Sequence, residues 1–210
     1  QLDLKSKQGK EIALKLIKNT DVLVENMRPG KVEKLGLGWN EVSLINDRIV
    51  YCSISAFGQD GPFGNRGAYD HVIQGMTGIM TTTGTKESGP TKVGAPYIDY
   101  ATGLNAAFAI TAALHQIREQ KKSIRIDVSM MDTSLLLMAN MVTEHLNSGW
   151  IPTPMGNEAQ SGSPSSGMYK TKTAPILLAA NNDIQFFNLC DALNSIQEFD
   201  KEKWKLEQNR

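Results

Sequence analysis

The 210 residues carry 22 basic and 22 acidic side chains, so no net charge argues for nucleic acid or an anionic membrane as partner. No apolar run approaches the length of a membrane span, and the only cysteines, Cys52 and Cys190, fit neither a metal spacing nor a disulfide framework, which points to a reducing, cytoplasmic setting. The length suits one large domain or one and a half, with a sizeable core.

Gln1-Leu2-Asp3-Leu4 reads as the tail of a strand. Ser6 is placed to cap a helix whose Ile12, Ala13, Leu14, Leu16 and Ile17 fall on one side. Asn19-Thr20 stops it, and Asp21 to Asn26 predicts a short, well-buried strand that ends in the turn Met27-Arg28-Pro29-Gly30. Lys31 to Leu35 predicts a short helix, and Asn40 caps another through Ile45. Arg48 to Ser55 is the clearest strand of the chain. Strands alternating with helices predict an α/β fold with a parallel sheet.

Phe57 to Gly67 follows that strand as a loop rich in glycine, and ligands of open α/β sheets bind beyond the carboxyl ends of strands. Ala68 to Met80 predicts a helix carrying Val72, Ile73, Met76 and Ile79, and Thr81 to Thr91 a polar loop or hairpin. The stretch from Gly94 closes a loop and then opens a helix running to about Ile117. Its residues are apolar or small almost all round, so burial on most sides is expected. Arg118 to Lys122 reads as an exposed turn, Ile124 to Val128 as a strand, and Met131 to Leu146 as one helix whose methionines fill core. Gly149 to Ser166 reads as a linker or long loop. Two short strands follow, Met168 to Thr171 and Pro175 to Ala180, then a helix from Asp183 through Leu193 and a strongly charged tail from Gln197.

Few chemistries survive inspection. His71, His115 and His145 lie on separate predicted helices with no second ligand at metal spacing, so no metal site is expected. A nucleophile elbow, a phosphate-binding loop ending in Lys-Ser or Lys-Thr and a dinucleotide fingerprint are all absent. What stands out is Asp99, one acid at the start of the apolar helix. There, unpaired backbone N–H groups and the helix dipole favour an ionised carboxylate. Two readings are open: Asp99 caps the helix, or it is a carboxylate nucleophile at the mouth of a buried helix.

Several motifs together resemble the family III CoA-transferases, which include the carnitine CoA-transferase, formyl-CoA transferase and α-methylacyl-CoA racemase groups. They are Asp21 to Gly30, Leu35-Gly36-Leu37-Gly38, Ser53 to Pro62, Arg66-Gly67-Ala68-Tyr69-Asp70 with Gln74, Asp99 with Thr102-Gly103, and Ile126 to Asp132. Their order and spacing agree with the family over roughly residues 1 to 150. Further on, Tyr169-Lys170-Thr171-Lys172 is followed by Thr173-Ala174-Pro175 where the family usually has Asp-Gly.

The resemblance implies a Rossmann-like α/β domain at 1–148, a connecting loop at 149–166 and the start of a smaller domain at 167–210. It implies an interlocked homodimer, with further chain before Gln1 and after Arg210. It implies an enzyme that moves CoA from an acyl-CoA thioester to a carboxylic acid through aspartyl anhydride and aspartyl-CoA thioester intermediates. No permanent cofactor is expected; coenzyme A and acyl-CoA are substrates. Asp99 matches the catalytic aspartate. Asn26, Met27 and Arg28 match a segment touching the CoA nucleotide, and Lys34 falls where formyl-CoA transferase has a CoA-binding arginine. Tyr69 and Asp70, preceded by Gly67 and Ala68, match an active-site pair.

Two other readings stand beside the transferase: an acyl-CoA racemase or epimerase, and a non-catalytic CoA-binding fragment. The racemase pattern has a His in the place of Tyr69, and an unperturbed tyrosine is too weakly acidic to serve easily as a base at neutral pH. A transferase therefore should not exchange the α-proton of a branched acyl-CoA with deuterated solvent in the absence of an acceptor acid. Rapid exchange followed by NMR would favour the racemase.

Overall fold

The computed structural model describes residues 1–120, 122–159 and 162–193. They form two units, Gln1–Met80 with Lys92–Pro152, and Thr81–Thr91 with residues from Thr153 onward. Segment 81–91 lies within the span read as the first domain, yet it clusters with the later residues; Gly156 N donates to Gly84 O at 2.6 Å.

The first unit is built on three parallel strands in the order β1-β2-β3: β1 Val22–Glu25, β2 Val50–Ser55 and β3 Ile124–Ser129. Val50 stands opposite Val22 on one side and Ile124 on the other. This is the parallel α/β arrangement expected. Paired on both edges, β2 is buried along nearly its whole length. On one face Tyr51 packs with Ile49, Ala13, Ile17, Val32, Leu37 and Val42. These come from α1 Lys7–Ile17, α2 Lys31–Lys34, α3 Trp39–Ile45 and the loops between them. The Tyr51 hydroxyl donates to Leu37 O at 3.1 Å, satisfying its one buried polar group. On the other face Val50 and Cys52 meet Ala106, Ala113 and Ile117 of α5 Tyr97–Gln120.

Ser6 caps α1 by accepting from Gly9 N at 3.0 Å, as its position suggested. Other expectations are corrected. Gln1 to Asp3 is in no strand and Leu4-Lys5 is a turn, with Lys5 N donating to Asp3 Oδ1. The buried stripe of α1 is Gly9, Ala13 and Ile17, one turn apart; Ile12 and Leu16 are exposed. β1 is an edge strand and leaves Val24 exposed. Asn40 lies inside α3, and Gly38 occupies the cap position. The helix after the glycine-rich loop is short, α4 Asp70–Met76, with a separate 3-10 turn at Ile79–Thr82 and exposed Val72 and Met76. α5 runs on to Gln120, so Arg118 and Glu119 are helical; Lys121 lies outside the described residues.

Two corrections concern long apolar runs. α5 is not buried on most sides: Ile98, Thr102, Ala106, Ala113 and Ile117 are buried, while Tyr100, Leu104 and Phe108 are 67%, 73% and 75% exposed. The run from Met131 forms two helices, α6 Met130–Leu137 and α7 Ala139–Ser148, broken at Met138. Met138 leaves helical geometry (φ −105°, ψ 19°) and is buried, whereas Leu135, Leu136, Leu137 and Leu146 are exposed. Met130 and Met138 are in the core, as methionine's adaptable shape allows. α7 ends on Gly149 in the left-handed conformation, φ 72°.

In the second unit β4 Ser166–Tyr169 and β5 Ile176–Ala179 pair antiparallel, with Gly167 opposite Leu178. α8 Asp183–Ala192 follows, its Asn182 side chain accepting from Gln185 N at 2.9 Å. The charged tail from Gln197 lies outside the described residues.

Ile73 and Ile98 are both fully buried and meet Ala56 and Met130 in a small cluster at the carboxyl end of the sheet. Ile73→Ala should lower unfolding stability by about 2–5 kcal/mol, the usual cost of truncating a buried isoleucine. Leu44→Ala, at a position 88% exposed, should stay within about 0.5 kcal/mol. Urea midpoints of the full chain at constant slope check both.

Candidate active site

Beyond the carboxyl ends of the strands lies a cavity of about 500 Å³, within the range of small-molecule sites. Three segments build it. The first is the turn after β1. Glu25 is buried, and its Oε2 accepts from Met27 N at 2.8 Å. Asn26 Nδ2 donates to Ile54 O at 3.1 Å. These bonds tie the turn to the end of β2 and set Asn26, Met27, Arg28 and Pro29 on the cavity wall.

The second segment is the glycine-rich loop after β2. Gln59 N donates to Asp127 Oδ2 at 2.8 Å, anchoring the loop to β3. Phe57 and Phe63 meet with ring centroids 5.5 Å apart, and Arg66 Cζ lies 4.7 Å from the Phe63 centroid, a cation–π contact. Arg66, Gly67, Ala68 and Tyr69 then line the cavity. A Cβ on Gly67 would fall 2.7 Å from Arg28 Nε, so the glycine makes room for that guanidinium.

The third is the start of α5, which contributes Asp99, Thr102 and Gly103. Its first turn is held from another helix. Asp70 Oδ2 accepts from Ile98 N at 2.8 Å and from Asp99 N at 3.4 Å. Capping, one of the two roles open for Asp99, is thus performed by Asp70. Asp99 itself is exposed on the cavity wall.

Partial desolvation, and then the Asp70 charge, raise the Asp99 carboxyl above the ordinary aspartate range. A more basic carboxylate is a better nucleophile once ionised. Its acid limb lies correspondingly above that of an ordinary aspartate. The neighbouring Tyr97 phenol is pushed up to about 12, by burial and then by Asp70. Burial, with Glu25 and Asp127, pushes the Cys52 thiol up to about 11, so at neutral pH it is a protonated core residue.

The residues singled out from sequence separate into three groups. Asn26, Met27, Arg28, Gly67, Ala68, Tyr69 and Asp99 come together on the one cavity. Asp70 lies behind it, buried beneath the start of α5. Lys34 is exposed on α2 and is not on the cavity wall. His71 stacks on Tyr69, with ring planes 7° apart and centroids 6.3 Å apart. Among the described residues no three His, Cys, Asp or Glu side chains are grouped to hold a metal ion. Sequence reading had not singled out Ser55, Arg66 or Met130 as wall residues. All three fall inside motifs that carry the family resemblance, and that membership was the available signal.

If the cavity takes the nucleotide end of an acyl-CoA, Arg28→Ala should raise its Michaelis constant about tenfold, the scale of one charge-assisted hydrogen bond, with turnover nearly unchanged. Lys34→Ala should do less, because Lys34 can reach only a part of the ligand outside the cavity. Steady-state kinetics with varied acyl-CoA checks this; a fall in turnover alone would remove Arg28 from substrate binding.

The family model for CoA-transferase family III matches residues 1–210. The chain is 34% identical over 191 residues to a succinate–glutarate CoA-transferase of Agrobacterium fabrum, covering 91% of this chain and 48% of that one. It is 43% identical over 136 residues to a formyl-CoA:oxalate CoA-transferase of Streptomyces avermitilis, covering 65% and 33%. The crystal structure of a CAIB/BAIF family protein from Brucella suis superposes with a TM-score of 0.84 at 34% identity, covering 93% of this chain and 52% of that one. The chain thus spans about half the length of these fuller relatives. Among the described residues no helix is long and apolar enough to cross a membrane. With the family match running along the whole chain, this protein belongs to CoA-transferase family III.

Proposed function

We propose that the chain carries the nucleophile and part of the CoA site of an enzyme that moves CoA from an acyl-CoA thioester to a carboxylic acid. The observation that carries the reading is Asp99: a carboxyl of raised basicity on the wall of a cavity that also presents Arg28 and Arg66, with its helix start capped by another residue. The relatives named for succinate and glutarate, and for formyl-CoA and oxalate, support small carboxylic acids as the substrate class.

In this reading an Asp99 oxygen attacks the thioester carbonyl. The C–S bond breaks, CoA thiolate leaves, and an acyl-aspartyl anhydride remains. The thiolate then attacks the aspartyl carbonyl, releasing the first acid as its carboxylate and leaving an aspartyl-CoA thioester. The acceptor carboxylate attacks that thioester, expelling the thiolate and forming a second anhydride; the thiolate then attacks the acyl carbonyl of that anhydride, breaking its bond to the aspartyl oxygen, which gives the new acyl-CoA and restores Asp99. Each attack builds an oxyanion that needs donors in place. Among the wall side chains Asn26, Arg66 and Tyr69 carry them. Asp70 and Lys34 enter as supporting residues, the first beneath Asp99 and the second for the outer part of CoA.

We also read the chain as one partner of an interlocked homodimer, as the family resemblance implies. The exposed stripe Tyr100, Leu104 and Phe108, one helical turn apart on α5, supports this, because a second copy would remove it from water.

Asp99→Asn decides the central assignment. Asn keeps the shape but lacks the attacking anion, and Asp70 still holds the helix start. Stability should therefore change by less than about 1 kcal/mol while transfer falls by about a thousandfold or more. In the parent, acyl-CoA followed by hydroxylamine should leave a hydroxamate on the peptide containing Asp99, a mass gain of about 15 Da. Label on Asp70 instead, or an active Asp99→Asn, would sink the assignment.

A further inference from the structure

Gln74 is fully buried, polar and unused by the proposed chemistry. It sits one turn after Asp70 on α4, so the two side chains share the buried face of that helix. Asp70 is only 8% exposed. Gln74 Nε2 donates to Asp70 Oδ1 at 2.5 Å, and Gln74 Oε1 accepts from Val93 N at 2.9 Å. The partners fix which way the amide points. Val93 N–H can only donate, so the carbonyl oxygen must face it and the NH₂ must face Asp70. Both oxygens of Asp70 then meet donors: the amide on one side, Ile98 N and Asp99 N on the other. A set of donors alone suits an ionised carboxylate, which only accepts. The amide thereby bridges the segment entering α5 and the group that caps it.

We propose that Gln74 is a positioning residue for Asp99: by holding the Asp70 carboxylate at the start of α5, it fixes the place of the attacking group. The inference rests on Asp99 being the nucleophile. The charged and titratable groups around Asp99 are Asp70 beneath it and Arg28, Arg66 and Tyr69 on the same cavity wall. Of these, Asp70 acts with burial to raise the Asp99 carboxyl. Removing the Gln74 amide releases Asp70 from its place, so its repulsion of Asp99 falls. The acid limb of Asp99 acylation then moves to lower pH. The plateau rate also falls, because the nucleophile is less basic and less well placed. A residue that only filled space would slow the reaction without moving the limb in that direction.

The experiment follows hydroxylamine-trapped acylation of Asp99 against pH in the full chain. It compares the parent, Gln74→Met, which keeps the volume and loses both bonds, and Gln74→Asn, too short to span Asp70 and Val93. The expected result for either folded variant is a plateau rate about tenfold lower, the scale of one buried hydrogen bond, with an acid limb at lower pH and an unchanged Michaelis constant for acyl-CoA. Asp70→Asn should move the limb the same way, and adding Gln74→Met to it should move it no further, since the two act through one path. A parent that labels Asp99 while both Gln74 variants keep its limb overturns the role of Gln74 and leaves the nucleophile standing. A slower reaction with an unmoved limb, or failure of both variants to fold, makes Gln74 a core support only and overturns the proposal. A parent that does not label Asp99 overturns both readings.

Discussion

The backbone N–H groups that open α5 need an acceptor, and this chain supplies it from another helix. A buried donor left unpaired costs about 1–3 kcal/mol, so the two bonds to Asp70 Oδ2 are a structural requirement as much as a refinement of the site. The choice of acceptor has a chemical effect. Had Asp99 capped its own helix, its oxygens would be committed to the backbone. With Asp70 in that role, Asp99 stands on the cavity wall and feels a like charge from below. The apolar contacts of Ala56, Ile73, Ile98 and Met130 hold the two helices at the distance this requires.

The same end of the sheet gathers everything else. β1 and β2 are parallel and in register, so the turn leaving β1 and the loop leaving β2 emerge side by side. Asn26 bonded to Ile54 O is the direct expression of that adjacency. Arg28 against Gly67 is another: residues far apart in the chain share a space that admits no Cβ. Glu25 adds a local constraint, closing its own turn onto Met27 N.

What could be read from the sequence was what local pattern encodes. The alternation of strands and helices, the turn at Met27 to Gly30, the Ser6 cap and the loop after β2 all leave marks within a few residues. So did the helix opened by the Asp99 stretch. What could not be read was contact between distant segments. Asp70 beneath Asp99 joins residues 29 positions apart, and no periodicity announces it. The uncovered stripe of α5 carries the composition of a core, so apolarity alone predicted burial that this chain by itself does not provide. The break at Met138 has neither Gly nor Pro to mark it; burial of one methionine wins over helical continuity there. Lys34 is charged and near a motif, but α2 keeps it off the cavity wall, a matter of tertiary placement.

The central position of β2 also sets an order in time. Its β1 edge can pair as soon as β2 is made, since both strands are already in hand. Its other edge waits for β3, whose last residue comes 74 positions after Ser55. At a synthesis rate of about 5–20 residues per second, that leaves the most buried strand of the first unit with an open row of N–H and C=O groups for roughly 4–15 s on the ribosome. For that interval the edge is a template for any other extended chain nearby, and α5, made before β3, is the one long element of this unit available to cover a face of the strand in the meantime.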